Sequence, residues 1–229
     1  MSVSDSIYAN LPVFAQHVAV SAYGFYWRQL RFGTGYSQFV QQYRERERLT
    51  KEQWLMWQTG QLENILSACT KYVSYYRNNW TEAQKAAALD NDLSALPLLG
   101  KDPIRTDPKA FLRQDMHPAR QQVFLTSGST GTPISSYYTL LELRQSLALR
   151  EVRSAGWAGV SFKRPRATFS GRMVEPDPAS RGPYYRFNAA EHQVYFSPFH
   201  LRPDTAQQYV DALNRHRIEW GTGYAVSYY

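Results

Sequence analysis

An α/β fold is the class this sequence predicts, and three features predict it: helices announced by side-chain caps, short β-prone runs set between them, and no internal repeat. Residues 11–43 alternate aromatic and polar residues around Gly24, Gly33 and Gly35 and read as short helical pieces. Arg44-Glu45-Arg46-Glu47-Arg48 balances its own charge and reads as a solvated helix face. Thr50 and Gln53 stand at capping-box spacing, opening a helix in which Trp54, Trp57, Leu62, Ile65, Leu66, Cys69 and Val73 keep one apolar face. The two tryptophans are expected in the core. Thr81 with Gln84 opens a second, alanine-rich helix ending near Asn91.

From Leu96 to Arg105 the prolines at 97 and 103 predict a connector without regular structure. Asp107-Pro108 supplies an N-cap and a first-turn proline for a short helix through Phe111. Gln122 to Leu125 and Ile134 to Tyr138 read as two strands, and Thr139 with Glu142 caps a helix running to about Ala155. Beyond it, 167–170, 193–196 and 218–220 read as strands, 174–183 as a proline- and charge-rich loop, and 204–216 as a helix with Tyr209, Val210 and Leu213 inward. The layout divides into a helical region at 1–95 and an α/β region at 96–229, a mixed sheet flanked by helices.

With 43% hydrophobic and 20% charged residues, the composition is that of a globular chain rather than a disordered one. The excess of 26 Lys+Arg over 19 Asp+Glu, a net charge of +7, makes polyanions and nucleotides natural ligands. The arginines are scattered and no nucleic-acid-binding signature is present, which ranks a nucleic-acid-binding protein below a nucleotide-binding one. Cys69 stands alone, so no disulfide framework exists within the chain, and a reducing compartment, the cytoplasm, is expected. No apolar run approaches the ~20 residues of a membrane helix.

The functional signal is the segment Thr126-Ser127-Gly128-Ser129-Thr130-Gly131-Thr132-Pro133 between the first two strands. A hairpin needs only about two to four turn residues, so this length of serine, threonine, glycine and proline implies a ligand. Gly128 and Gly131 allow backbone N–H groups to approach an anion, and the Thr126, Ser127, Ser129, Thr130 and Thr132 hydroxyls can donate to phosphate oxygens. The Walker spacing is absent, because no Gly-Lys-Ser/Thr opens a helix here. With no lysine in the loop, neutralising charge comes from elsewhere.

That segment resembles the phosphate-binding signature of adenylate-forming enzymes, the superfamily of acyl-CoA synthetases, luciferases and nonribosomal adenylation domains. Tyr75-Tyr76-Arg77, the stretch Leu96 to Arg105 and Phe111-Leu112 are similar to the region preceding that loop in phenylacetate-CoA ligase-like proteins. Gly156-Trp157-Ala158-Gly159, Phe169-Ser170-Gly171-Arg172, Phe196 to Leu201 and Gly223-Tyr224 resemble the branch associated with capsular polysaccharide synthesis. The resemblance implies ATP-dependent formation of an acyl-adenylate with Mg²⁺, transfer of the acyl group to coenzyme A, and a small carboxylic acid as substrate. It also implies that this chain is the N-terminal part of a longer enzyme, inactive alone, whose catalytic residues are expected beyond Tyr229.

Outside the loop, Arg172 follows Gly171 at a strand end, where a guanidinium could clamp a phosphate or carboxylate. Glu175 and Asp177 stand between prolines and read as solvated loop residues rather than metal ligands. The histidines show no metal spacing, and His200 reads as structural. Ser127 lacks the nucleophile-elbow pattern, so acyl transfer through a serine is set aside. A non-catalytic anion-binding module is the alternative the residues leave open.

Overall fold

The computed structural model describes residues 8, 10–116, 121–126, 133–171 and 174–224 and is mixed α/β, as expected. The chain divides into two compact units, one of Met1–Ser37 with Leu147–Tyr229, the other of Gln38–Ser146. Among the described residues no helix is long and apolar enough to cross a membrane.

The second unit is helical with one hairpin. Helix α2 (Tyr36–Arg46) leads into it, and α3 (Lys51–Tyr72) starts at Thr50, whose hydroxyl accepts from Gln53 N–H while the Gln53 side chain accepts from Thr50 N–H. Helix α4 (Ser74–Asn79) follows, then α5 (Glu82–Leu89), which repeats the box with Thr81 and Gln84. The core of this unit is Leu66, Trp80 and Ala88, with Leu62, Cys69, Tyr76 and Leu96 packed around it. Trp54 and Trp57, expected inside, are only half-buried. They meet edge-to-face at 5.2 Å, and the Arg46 guanidinium lies over Trp57, so the rings form a helix-surface cluster instead.

The connector expected across 96–105 is partly helix: α6 spans Lys101–Thr106, with Gly100 as its N-cap. Pro103 is tolerated because it falls in the first turn, where a backbone N–H has no helical partner to lose. The 3₁₀ turn Pro108–Phe111 is capped by Asp107, which accepts from Ala110 N–H at 3.1 Å. Strands β1 (Gln122–Leu125) and β2 (Ser135–Tyr138) pair antiparallel. Val123 and Leu125, on one face of β1, are 52% and 69% exposed, so that face has little apolar cover among the described residues. Helix α7 (Leu140–Arg150) begins at the Thr139–Glu142 box and ends in a π-helical turn, Glu151–Gly156.

In the first unit, α1 (Val13–Arg31) packs with a four-stranded sheet. Strands β3 (Arg166–Phe169), β5 (Gln193–Phe196) and β6 (Trp220–Gly223) are parallel, with β3 in the middle, and β4 (Tyr185–Asn188) pairs antiparallel with β5 at the edge. Alternation along the strands separates two faces. Ala167, Phe169, Val194 and Phe196 face the core, where Tyr209 and Ala212 of α8 (Ala206–Arg215) cover them. Phe169 and Phe196 stack at 4.8 Å, and Tyr209 donates its hydroxyl proton to the Ser197 carbonyl at 2.6 Å.

Strand β4 would expose one row of backbone groups at the sheet edge, and α1 satisfies them with side chains. His17 Nδ1 accepts from Phe187 N–H at 2.9 Å, Ser21 Oγ accepts from Ala189 N–H at 3.0 Å, and Arg28 donates to the Ala190 carbonyl at 2.8 Å. His17, Ser21, Gly24 and Arg28 recur at helical spacing on one face. At Gly24 any Cβ would overlap the side chain of fully buried Asn188, so only glycine lets the helix lie this close.

Candidate functional site

The hairpin β1–β2 brackets the hydroxyl- and glycine-rich segment. Its base is closed by Thr126, which donates its N–H to the Ile134 carbonyl at 3.1 Å and accepts Ile134 N–H on its hydroxyl oxygen at 2.9 Å. That bond occupies the oxygen of Thr126 and leaves its hydroxyl proton to give. Ser127, Gly128, Ser129, Thr130, Gly131 and Thr132 lie outside the described residues, as does Arg172.

The other sequence candidates are placed in the first unit. Glu175 pairs with the buried Arg186 at 3.3 Å, and Asp177 accepts from Ala179 N–H at 2.9 Å, so each carboxylate is held by its own neighbour. His200 is buried with both ring nitrogens engaged, Nδ1 with Ser197 Oγ at 2.8 Å and Nε2 with the Asp177 carbonyl at 2.9 Å, and its ring stacks on Tyr184. It ties the 174–183 loop to the 3₁₀ turn Pro198–His200. Burial pushes the Cys69 thiol up, so little thiolate forms there.

Residue-by-residue reading missed a polar cleft on the face of the four-stranded sheet opposite the core. The register sets Thr168 beside Tyr195 and Thr222, so three hydroxyl-bearing residues stand side by side across β5, β3 and β6, and sets Arg166 beside Gln193 two residues earlier. Arg31, Phe32, Arg150 and Phe162 also line the cleft, which measures about 330 Å³ and reaches the carboxyl ends of β3 and β6, where Ser170 and Tyr224 line it. Open α/β sheets take their ligands at that end of the strands. At Gly223 a Cβ would overlap the Phe169 carbonyl oxygen, so the rim admits no side chain there.

A buried ionic network underlies the cleft. Glu191 receives Arg166 at 2.5 Å on one oxygen and Arg31 at 2.6 Å on the other. Arg166 also donates to Gln193 Oε1 at 2.6 Å and to the Phe162 carbonyl at 2.5 Å, while Gln193 donates to Thr168 Oγ1 at 2.7 Å. Burial pulls the Arg166 guanidinium below its ordinary pKa, and the Glu191 carboxylate works against that pull. Arg150 lies over the Phe162 ring at 5.1 Å and has no carboxylate partner among the described residues. Three arginines against one carboxylate leave the cleft basic.

The mixed α/β fold with these two features is the frame for comparison with known proteins. The chain is 22% identical over 223 residues to Protein CapK of Staphylococcus aureus, an alignment covering 95% of this chain and 47% of that protein. It thus spans about half the length of the curated relative it matches. No family model matches the chain, and no solved structure matches it.

Proposed function

We propose that this chain is the phosphate-binding part of an enzyme that activates a carboxylic acid with ATP and passes the acyl group to coenzyme A. The observation that carries the reading is the 126–133 segment held between two antiparallel strands and pinched at its base by Thr126 and Ile134. The strands bring the two ends of the segment together, and its sequence between them is glycine and hydroxyl donors, which is the chemistry of a polyphosphate cradle. The distant similarity to CapK along nearly the whole chain supports a capsule-related role for the gene product.

In this reading Ser127, Gly128, Ser129, Thr130, Gly131 and Thr132 hold the β- and γ-phosphates. A substrate carboxylate oxygen attacks the α-phosphorus, the bond to the bridging oxygen breaks, and pyrophosphate leaves with the negative charge the loop stabilises. The thiolate of coenzyme A then attacks the acyl carbon, the bond to the phosphate oxygen breaks, and AMP leaves. Mg²⁺ would enter with the nucleotide phosphates. Arg172 is proposed as a clamp on phosphate or carboxylate, and the acid as a small molecule used in surface-polysaccharide synthesis.

The test is carboxylate-dependent exchange of labelled pyrophosphate into ATP by the full gene product carrying this chain. Exchange that rises with added acid and vanishes in the Ser129→Ala/Thr130→Ala variant supports the proposal. ATP binding with no exchange for any acid, in a folded protein, overturns the catalytic reading in favour of an anion-binding module.

A further inference from the structure

The polar cleft of the first unit uses none of the residues of the 126–133 segment, so what binds there stands apart from the nucleotide reading. We infer that it is a site for a small phosphate monoester, held by Arg150 and Arg31 and by the hydroxyls of Thr168, Tyr195 and Thr222.

The charge comes first. Glu191 neutralises one guanidinium equivalent of the Arg31–Arg166 pair, and Arg150 adds a charge with no carboxylate partner among the described residues, so the described lining carries a surplus of two positive charges. A phosphate monoester near neutral pH carries about two negative charges and meets that surplus. The donors come second. Arg166 is committed to Glu191, Gln193 and the Phe162 carbonyl, which makes it a support. Arg31 spends Nη2 on Glu191 and Nε on the Trp27 carbonyl, and its other terminal nitrogen has no hydrogen-bond partner among the described residues. Arg150, over Phe162, has its whole fork free of carboxylates among the described residues, and such forks match phosphate oxygens two at a time.

Shape comes third. Thr168, Tyr195 and Thr222 stand in backbone register on three adjacent parallel strands, a rigid platform rather than a loop, and all three line the cleft, whose volume of about 330 Å³ suits a small metabolite. The aromatic rim of Phe32, Phe162 and Tyr224 provides apolar walls for the ester's organic body.

The experiment is calorimetric titration of the folded chain with inorganic phosphate, glycerol 3-phosphate and malonate, comparing wild type, Arg150→Gln, Arg150→Lys, Thr222→Val and Ser129→Ala/Thr130→Ala. Arg150 is exposed, so its variants keep the fold, and circular dichroism verifies that for each protein. The site predicts that glycerol 3-phosphate binds more tightly than phosphate. Arg150→Gln should weaken it roughly tenfold or more, as expected for loss of a charge-assisted hydrogen bond. Arg150→Lys should fall between, Thr222→Val should weaken binding, and the loop variant should bind like wild type. Failure of phosphate and its ester to bind wild type, equal binding to Arg150→Gln, preference for malonate, or loss of binding only in the loop variant would each overturn the assignment. The last result would move the phosphate to the 126–133 segment and leave the nucleotide reading standing.

Discussion

Replacing Glu191 by glutamine removes the carboxylate that joins Arg31 and Arg166 in the ionic network beneath the cleft while preserving side-chain size. The Glu191 side chain is 1% exposed and bridges Arg166, 4% exposed, and Arg31, 25% exposed. Arg166 would then keep its positive charge in a buried site whose acceptors, Gln193, two carbonyls and the single amide oxygen of the new glutamine, are all neutral, while the new NH₂ faces the other guanidinium. Uncompensated buried charge of this kind costs about 3–5 kcal/mol. Against a total stability of about 5–15 kcal/mol, that is a large fraction. Arg31 is wet enough that Arg31→Gln should cost only about 1 kcal/mol. The double variant Glu191→Gln/Arg166→Met, which removes the stranded charge, should recover a substantial part of the loss. Urea denaturation followed by far-ultraviolet circular dichroism measures all three. A Glu191→Gln cost under about 1 kcal/mol, or a double variant no better than the single one, would refute the reasoning.

Further predictions follow from the sealed sheet edge and the core. Burial, then Arg186 and the neighbouring His216, hold the His17 pKa below its ordinary value, and burial with Arg215 does the same for His216. Both groups favour the neutral form in the fold, so their contribution to stability is complete above the unfolded value of 6.5 and is lost as pH falls below it toward the depressed folded values. Because His17 Nδ1 must be unprotonated to accept Phe187 N–H, the protection factor of the Phe187 amide, its exchange rate taken relative to the intrinsic rate at the same pH, should fall on acidification, and His17→Ala should remove that protection at every pH. Gly24→Ala should destabilise the chain and raise exchange at Ala189 as well, since α1 must lift off Asn188; unchanged exchange would contradict the edge-sealing role. Phe196→Ala, deleting a ring that is 1% exposed and stacked on Phe169, should cost about 3–5 kcal/mol in urea melts.

What the sequence disclosed is local. All three capping boxes read from Thr50, Thr81 and Thr139 are present, because a cap is decided by residues within one helical turn. The strand pair around the 126–133 segment was legible for the same reason, as β-prone runs flanking a turn-forming stretch. Strand β4 was missed, since Tyr185 to Asn188 follows a proline-rich loop and becomes a strand by pairing with β5 on one side and docking α1 on the other. Helix α6 was hidden by Pro103, whose effect depends on which turn it occupies. The cleft was illegible for a different reason: Arg31 and Glu191 are 160 residues apart and Arg166 and Glu191 are 25 apart, so no spacing rule connects them.

Calorimetric titration of MgATP into the wild-type chain and into the Ser129→Ala/Thr130→Ala variant bears most directly on the proposed phosphate cradle. Wild type should bind MgATP and be competed by pyrophosphate, and the variant, with two hydroxyl donors removed, should lose roughly tenfold or more in affinity. Equal affinity in two folded proteins would contradict the account.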